Sequence, residues 1–117
     1  MKRRYRLTRT SDFKRVRLLG KSFAHPLLVL ILVRNSLDIT RIGISTSRAI
    51  AKAVQRNRVK RQLRALLDCH IGCLEPGWDV VLIARPGICQ VSFEDIGKAV
   101  TNVISRAGLL RPDHEHG

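Results

Sequence analysis

The amino-acid sequence predicts one α+β domain in which helices pack on a sheet of short strands in two layers. A chain of 117 residues is long enough for a single modest core and short for two. Apolar residues follow helical spacing in three segments, and alternating or continuous apolar runs lie between them. No repeat, low-complexity stretch or linker divides the chain, so helices and strands are expected to share that core.

The first predicted element is a short helix. Thr10 or Ser11 can cap it, and Gly20 is a natural terminator. Phe13 and Val16 fall on one side of this helix, which is therefore expected to face the rest of the domain.

Three strands are predicted next. Residues 22–24 form a short strand, the apolar run LLVLILV at 27–33 a buried one, and RIGIST at 41–46 an alternating one. A turn at residues 35–38 joins the last two. The run at 27–33 is far shorter than the ~20 residues that span a bilayer, so we interpret it as a core strand.

The second half of the chain predicts helix, strand and helix. The second helix covers about Ala53 to Cys69. Its buried stripe consists of Val59, Leu63, Leu66 and Leu67. After the turn at Pro76-Gly77, DVVLIAR at 79–85 is predicted as a central strand. The last helix runs from Ser92 to about Ala107, and Ser92 and Asp95 form a capping-box-like pair.

The whole chain, residues 1–117, is therefore expected to fold as one domain with an ordered core at about 6–107. A basic segment, 1–9, precedes this core. A polar tail, 108–117, follows it, and its last segment, RPDHEHG at 111–117, is expected to fray.

The net charge of +13 is concentrated in two windows. Residues 1–21 carry nine basic side chains and residues 48–64 carry seven, and Asp12 is the only acid in either window. A balance this uneven opposes compaction unless an anion neutralises it. Arginine outnumbers lysine sixteen to six, which favours forked contacts to phosphate. The two windows therefore predict the footprint of an anionic polymer.

The window at 48–64 has a simpler interpretation as a solvated helix face. Such faces usually mix acids with bases at i,i+4 spacing, and no acid occurs between Arg48 and Leu67. Lys60 and Arg64, four residues apart, present adjacent cations on one side of the helix. An external anion fits this pattern better than solvent does.

The sequence contains no pattern for an active site or metal site of its own. Metal-dependent phosphodiester chemistry needs clustered carboxylates, whereas the nine acids are dispersed. Cys69, His70, Cys73 and Cys89 lack the paired C-x-x-C spacing of structural zinc sites. Because no export signal is evident, we expect reduced cysteines and a cytoplasmic protein. We expect no catalytic residue, metal, cofactor or small-molecule substrate on this chain.

Two aromatic residues are candidates for stacking on an unpaired nucleotide. Trp78 follows Pro76-Gly77 and is better explained as an anchor of that turn. Phe13 can be packed beneath the first helix or partly exposed for stacking, and the sequence leaves both open.

These segments resemble the protein component of bacterial ribonuclease P over about residues 6–104. They occur in that family's order: RLTRTSDFKRV before Gly20, LLVLILV, RIGIST, AVQRNRVKRQLR and DVVLIARPG. The R-N-R-x-K-R-x-x-R pattern on a helix after R-x-G-I-S is highly specific. The resemblance implies the order α-β-β-β-α-β-α and a four-stranded sheet, similar to a domain of a small-subunit ribosomal protein and an elongation factor. It also implies an unusual left-handed βαβ crossover.

The resemblance also implies a function. That family's protein joins a large catalytic RNA, and together they cleave the 5′ leader from precursor tRNA. Magnesium ions held by the RNA do the chemistry. The chain would then be a non-catalytic subunit of an endoribonuclease, with the catalytic RNA and precursor tRNA as partners and no membrane association.

Two contact surfaces follow from the resemblance. The side chains expected on the catalytic RNA are Arg48, Lys52, Arg56, Asn57, Arg58, Lys60, Arg61 and Arg64, assisted by the basic N-terminal segment. The side chains expected in a leader groove between the first helix and the sheet are Phe13, Arg17, Ile31 and Ser45. Arg17 and Ile31 stand where many members have aromatic residues, so aliphatic and ionic contacts are expected to replace stacking there.

The residues alone leave a second class of function open. A general RNA-binding or ribosome-associated structural protein would use the same basic helix without a role in tRNA processing. A stand-alone nuclease is a third class, which the dispersed acids disfavour.

Overall fold

The computed structural model describes residues 1–111 of the chain. The helices are α1 (Thr10–Leu19), α2 (Ala53–His70) and α3 (Phe93–Arg106). The strands are β1 (Lys21–Ala24), β2 (Leu28–Arg34), β3 (Arg41–Thr46) and β4 (Trp78–Ala84). Short 3-10 turns lie at Arg3–Tyr5, Ile71–Cys73 and Pro86–Gln90. The predicted α+β domain and its element order are confirmed.

The four strands form one sheet in the order β1-β2-β4-β3. β2 pairs antiparallel with both β1 and β4, and β3 pairs parallel with β4. Strand β4 lies inside the sheet, as its apolar run predicts. Parallel neighbours need a crossover connection, and α2 supplies it between β3 and β4. The left hand of this βαβ unit stays a prediction from the resemblance.

Side chains alternate between the two faces of the sheet, and the helices divide between those faces. Alternate residues of β2, from Leu28 to Leu32, pack with the buried sides of α2 and α3 in the main core. On the other face, Ile31 and Val81 pack with Val16 of α1. The sheet and the α2–α3 pair form the two predicted layers, while α1 crosses the opposite face and covers only part of it.

Helix α1 begins differently from the prediction. Arg9 holds the N-cap position and no side chain caps the helix, so the expectation that Thr10 or Ser11 does so is wrong. The helix ends as predicted at Gly20, whose N–H donates to the Val16 carbonyl at 2.8 Å. A Cβ at Gly20 would lie 2.5 Å from that carbonyl oxygen, so the close approach requires glycine.

The segment before α1 covers the free edge of β3. Arg6 forms a parallel bridge with Ile42, and the Leu7 N–H donates to the Ile42 carbonyl at 2.9 Å. Pairing of this kind satisfies backbone groups that an edge strand leaves open. The basic N-terminal segment is thereby held beside β3.

The chain also stays packed beyond α3. Leu109 is 1% exposed, and Leu110 forms an antiparallel bridge with Leu74. The Arg111 N–H donates to the Cys73 carbonyl at 2.9 Å. The rest of the tail that is predicted to fray, residues 112–117, lies outside the described part of the chain.

Candidate nucleic-acid interface

The outer side of α2 carries the basic residues that the sequence singles out. Val59, Leu63 and Leu67 are at most 2% exposed and face the core, while Leu66 is half-buried. The exposed or half-buried polar positions are Arg56, Asn57, Arg58, Lys60, Arg61 and Arg64. Within residues 1–111 none of these side chains takes part in a salt bridge. Helix α2 therefore presents cations that the described protein does not neutralise.

Arg48 and Lys52 extend these cations into the loop before α2, and both side chains are exposed. Lys52 holds the N-cap position, and no acid lies in the first turn of the helix. The positive end of the helix dipole consequently adds to the local charge. We call this surface the basic face; its members are Arg48, Lys52, Asn57, Arg58, Lys60, Arg61 and Arg64.

Arg56 differs from its neighbours because the protein itself uses its guanidinium. Its Nη1 donates to the carbonyls of Ile50 at 3.0 Å and Ala51 at 2.6 Å. Ile50 is 2% exposed, so the loop is anchored both in the core and on α2. These two bonds fix how the chain enters the helix. The predicted RNA contact of Arg56 therefore depends on its remaining donors, Nε and Nη2.

Helix α1 leaves residues beside it partly exposed on the other face of the sheet, where the leader groove is predicted. Arg17 Nη2 donates to Ser45 Oγ at 3.2 Å, so these two predicted groove residues meet. The Phe13 ring lies against Gly43, where a Cβ would come within 2.5 Å of Cζ. Phe13 is half-buried, which means that the ring is packed on β3 and still partly exposed. Phe13 is therefore both packed and partly exposed, and its stacking on a nucleotide stays a prediction.

Ile31, which is also predicted in the leader groove, is 9% exposed and is buried beneath α1. Val29 and Ile83, paired across β2 and β4, are half-buried on the same face. Because Ile83 also pairs with Ser45, these two apolar side chains form the groove floor. We call the surface made by Phe13, Arg17, Val29, Ser45 and Ile83 the α1 groove.

A pocket of about 220 Å³ joins residues of both surfaces. Phe13 of the α1 groove and Arg64 of the basic face line it, together with Arg6 and Ile44. The pocket lies against β3, the strand that leads into the loop before α2. One residue from each predicted contact surface, Phe13 and Arg64, therefore lines the same pocket.

Asp79, at the start of β4, is a buried acid that no sequence motif points to. Its side chain is 0% exposed. Arg41 donates to it from Nε at 2.9 Å and from Nη2 at 2.8 Å, Asn35 Nδ2 donates at 2.9 Å, and Arg15 Nη2 donates as well. Burial alone would raise the pKa of Asp79, but the hydrogen bonds from Arg41, Asn35 and Arg15 hold it below its ordinary value.

This Asp79 network, formed by Arg15, Asn35, Arg41 and Asp79, fixes α1 relative to the sheet. Asp79 belongs to β4, Arg41 to β3 and Arg15 to α1, while Asn35 follows β2. Hydrogen bonding to Asp79 also raises the pKa of Arg15 and of Arg41, so both remain charged. One carboxylate therefore links four parts of the chain. Its only signal in the sequence is a single acid at the start of an otherwise apolar strand.

Among residues 1–111, no group of three or more potential metal ligands lies close together. Cys69, Cys73 and Cys89 form no disulfide. No helix in this part of the chain combines the length and the apolar character needed to cross a membrane.

Comparison with known proteins identifies the family. The family described as Ribonuclease P matches residues 1–108. The ribonuclease P protein component of Clostridioides difficile (strain 630) is 38% identical over 104 residues, which are 88% of this chain and 91% of that protein. The RNase P protein of Staphylococcus aureus has a TM-score of 0.84 at 29% identity, covering 92% of this chain and 98% of that one. The RNase P protein of Thermotoga maritima has a TM-score of 0.78 at 30% identity, covering 86% and 96%. The chain therefore belongs to the family of bacterial ribonuclease P protein components and is a subunit of that tRNA-processing endoribonuclease, as the resemblance implied.

Proposed function

We propose that this chain binds the catalytic RNA of ribonuclease P through the basic face and holds the 5′ leader of precursor tRNA in the α1 groove. The observation that supports the first part is the set of unneutralised cations on α2 and the loop before it. RNA phosphates supply the missing negative charge, and the release of their counterions favours binding.

The α1 groove has the composition of a site for an unpaired strand. The exposed part of the Phe13 ring offers a stacking surface, and Val29 and Ile83 offer an apolar floor. Arg17 is exposed and donates one hydrogen bond to Ser45, so its other N–H groups can bind a phosphate. This combination fits single-stranded RNA better than a duplex, whose bases are stacked inside.

In this proposal the chain positions RNA and does not cut it. Magnesium ions held by the catalytic RNA supply the chemistry, and the cationic side chains of the protein help folded RNA and leader to approach each other. The proposed partners are the catalytic RNA and precursor tRNA in the cytoplasm, without a small-molecule substrate or a cofactor on the protein.

Equilibrium binding to the catalytic RNA over a series of salt concentrations tests the basic face. We expect Arg61→Ala or Arg64→Ala to weaken binding by about 1–2 kcal/mol, the range for a lost charge-assisted contact. The slope of log affinity against log salt should flatten by about 0.7–0.9 for each phosphate contact removed. Lys98→Ala on α3, where the side chain is 73% exposed, is the control for loss of charge alone. Equal effects of all three replacements would contradict the assignment.

Reconstitution separates this role from general RNA binding. At low magnesium, the catalytic RNA should process precursor tRNA better with this chain than with an unrelated basic protein of equal net charge. An equal gain from both proteins would favour the general RNA-binding alternative. Cleavage by the purified protein with magnesium alone would instead indicate an active site of its own.

A further inference from the structure

A third cationic site lies outside both the basic face and the α1 groove. It is a polar cavity of about 400 Å³ lined by Arg15, Arg34 and Arg41, with the buried Asp79 among them. Arg41 lies at the amino end of β3, and Ser45 of the α1 groove follows four residues later on the same strand. At about 3.3 Å per residue, the cavity and the groove are ~13 Å apart along the strands. We call this site the arginine cavity.

Some N–H groups of Arg15 and Arg41 are not needed for the hydrogen bonds to Asp79. A carboxylate has about four acceptor sites. On Asp79, Arg41 fills two, Asn35 one and Arg15 one. Each guanidinium carries five N–H donors, so Arg15 and Arg41 have more donors than Asp79 can accept. Their side chains remain 34% and 26% exposed, whereas Asp79 is 0% exposed. The cavity therefore presents N–H groups to solvent and hides the carboxylate.

Arg34 adds a third guanidinium that is independent of Asp79. It is exposed at the end of β2, and its guanidinium carbon lies 4.7 Å from the centroid of the Trp78 ring. Stacking on the indole restricts the plane of the guanidinium without using its N–H groups. Within residues 1–111 the Arg34 side chain forms no hydrogen bond or salt bridge. Asp12 also reaches Arg15, at 3.3 Å, so three arginines face two acids and one positive charge remains.

We propose that the arginine cavity binds a backbone phosphate of RNA. Forked guanidinium groups match the oxygens of a phosphate, and a cavity whose own acid is saturated has donors ready for such a ligand. The phosphate belongs either to the leader, continuing past α1, or to the catalytic RNA, since both carry the same phosphodiester. This inference rests on the proposed RNA binding. A phosphate contact that is absent from the arginine cavity must therefore be distinguishable from a loss of RNA binding by the basic face.

The first test replaces Arg34, because its loss leaves the Asp79 network intact. We expect Arg34→Gln to flatten the salt slope of RNA binding by about 0.7–0.9, the effect of one lost phosphate contact. Arg34→Lys keeps the charge and should keep the wild-type slope. Lys98→Gln removes one charge from α3 and serves as the control. A purely structural role of Arg34 would lower affinity without changing the slope.

A second variant does not disturb the stacking of Arg34 on Trp78. Ser36 is exposed and lines the cavity. Ser36→Asp places a carboxylate beside the arginines, where it competes with a phosphate, and should flatten the slope in the same assay. Ser36→Asn has a similar size without the charge and should leave the slope unchanged.

Two binding measurements identify the source of the phosphate. One titrates the protein with the catalytic RNA alone. The other titrates the assembled holoenzyme with precursor tRNA that carries either a long leader or a single leader nucleotide. A flatter slope in the first measurement assigns the phosphate to the catalytic RNA, and a flatter slope only with the long leader assigns it to the leader. Unchanged slopes for Arg34→Gln and Ser36→Asp in both measurements would overturn the proposal. In that case, a flatter slope for Arg61→Ala in the first measurement would show that the basic face still binds RNA.

Discussion

Replacing Asp79 by asparagine tests whether the Asp79 network holds α1 on the sheet. The side chain keeps its volume but loses the charge that Arg15 and Arg41 share. Removing one partner of a buried ion pair typically costs about 3–5 kcal/mol. The two arginines are 34% and 26% exposed and regain part of their hydration, so we expect the free energy of unfolding to fall by about 3 kcal/mol. That is a large fraction of the 5–15 kcal/mol that stabilises a typical domain.

The stabilising effect of Asp79 should depend on pH in a defined direction. The pKa of Asp79 is lowered in the folded protein, so its contribution to the free energy of unfolding is fully present above the ordinary aspartate pKa of about 3.9. The contribution is lost as the pH falls below 3.9 and through the lowered value. The stability gap between wild type and Asp79→Asn should therefore be widest near neutral pH and shrink in acid.

Urea unfolding followed by circular dichroism measures the gap, and Asp38→Asn provides the control. Asp38 is exposed and is in no salt bridge of the described residues, so its replacement should change stability by at most about 0.5 kcal/mol. For Asp79→Asn we also expect the melting temperature to drop by about 12 °C, at roughly 4 °C per kcal/mol. A loss under about 1 kcal/mol, or a gap that does not shrink in acid, would refute the role assigned to this carboxylate.

Three further replacements test the positions of single side chains. Arg56→Ala removes the hydrogen bonds that hold the loop before α2, so affinity for the catalytic RNA should fall while the slope of log affinity against log salt stays at the wild-type value. A slope as flat as that of Arg61→Ala would instead show that Arg56 is a phosphate ligand. Gly43→Ala places a Cβ against Phe13 and should lower the free energy of unfolding in urea by about 1–3 kcal/mol, whereas Gly72→Ala, with no atom within 4 Å of its added Cβ, should lower it far less. Equal losses would contradict the close packing of Phe13 on Gly43. Phe13→Ala should weaken binding of precursor tRNA with a long leader more than binding of precursor with a single leader nucleotide, and equal losses would remove the ring from the leader site.

The sequence predicts best those elements whose signals are local. Helix α3 is the clearest case, because Ser92 accepts a hydrogen bond from the Asp95 N–H at 3.1 Å, as the capping pair predicts. Val100 and Val103 of its apolar stripe are fully buried. Such signals lie within a few residues of each other, so periodicity and cap chemistry are sufficient to find them.

Long-range contacts are the part that these patterns do not contain. The partners of Asp79 lie 38, 44 and 64 residues away along the chain, and no spacing rule pairs them. Alternation places Val29 and Ile31 on one face of β2, but the packing of α1 decides that Ile31 is buried and Val29 is only partly buried. Arg56 has the same side chain as the other arginines of α2. It differs from them because the carbonyls of the preceding loop lie within hydrogen-bonding distance of its guanidinium.

Strand β3 is the common frame of the proposed contact surfaces. Gly43 positions Phe13, Ser45 bonds Arg17, and the loop that follows the strand is held by Arg56 at the start of α2. A buried carboxylate is an expensive way to stabilise a core, because apolar side chains of similar volume are often at least as stabilising. Apolar contacts lack direction, however, whereas Asp79 bonds α1, β3 and the end of β2 in one defined arrangement. We therefore interpret Asp79 as the residue that fixes α1, and with it the α1 groove, on the sheet, which is the geometry that the proposed leader contact requires.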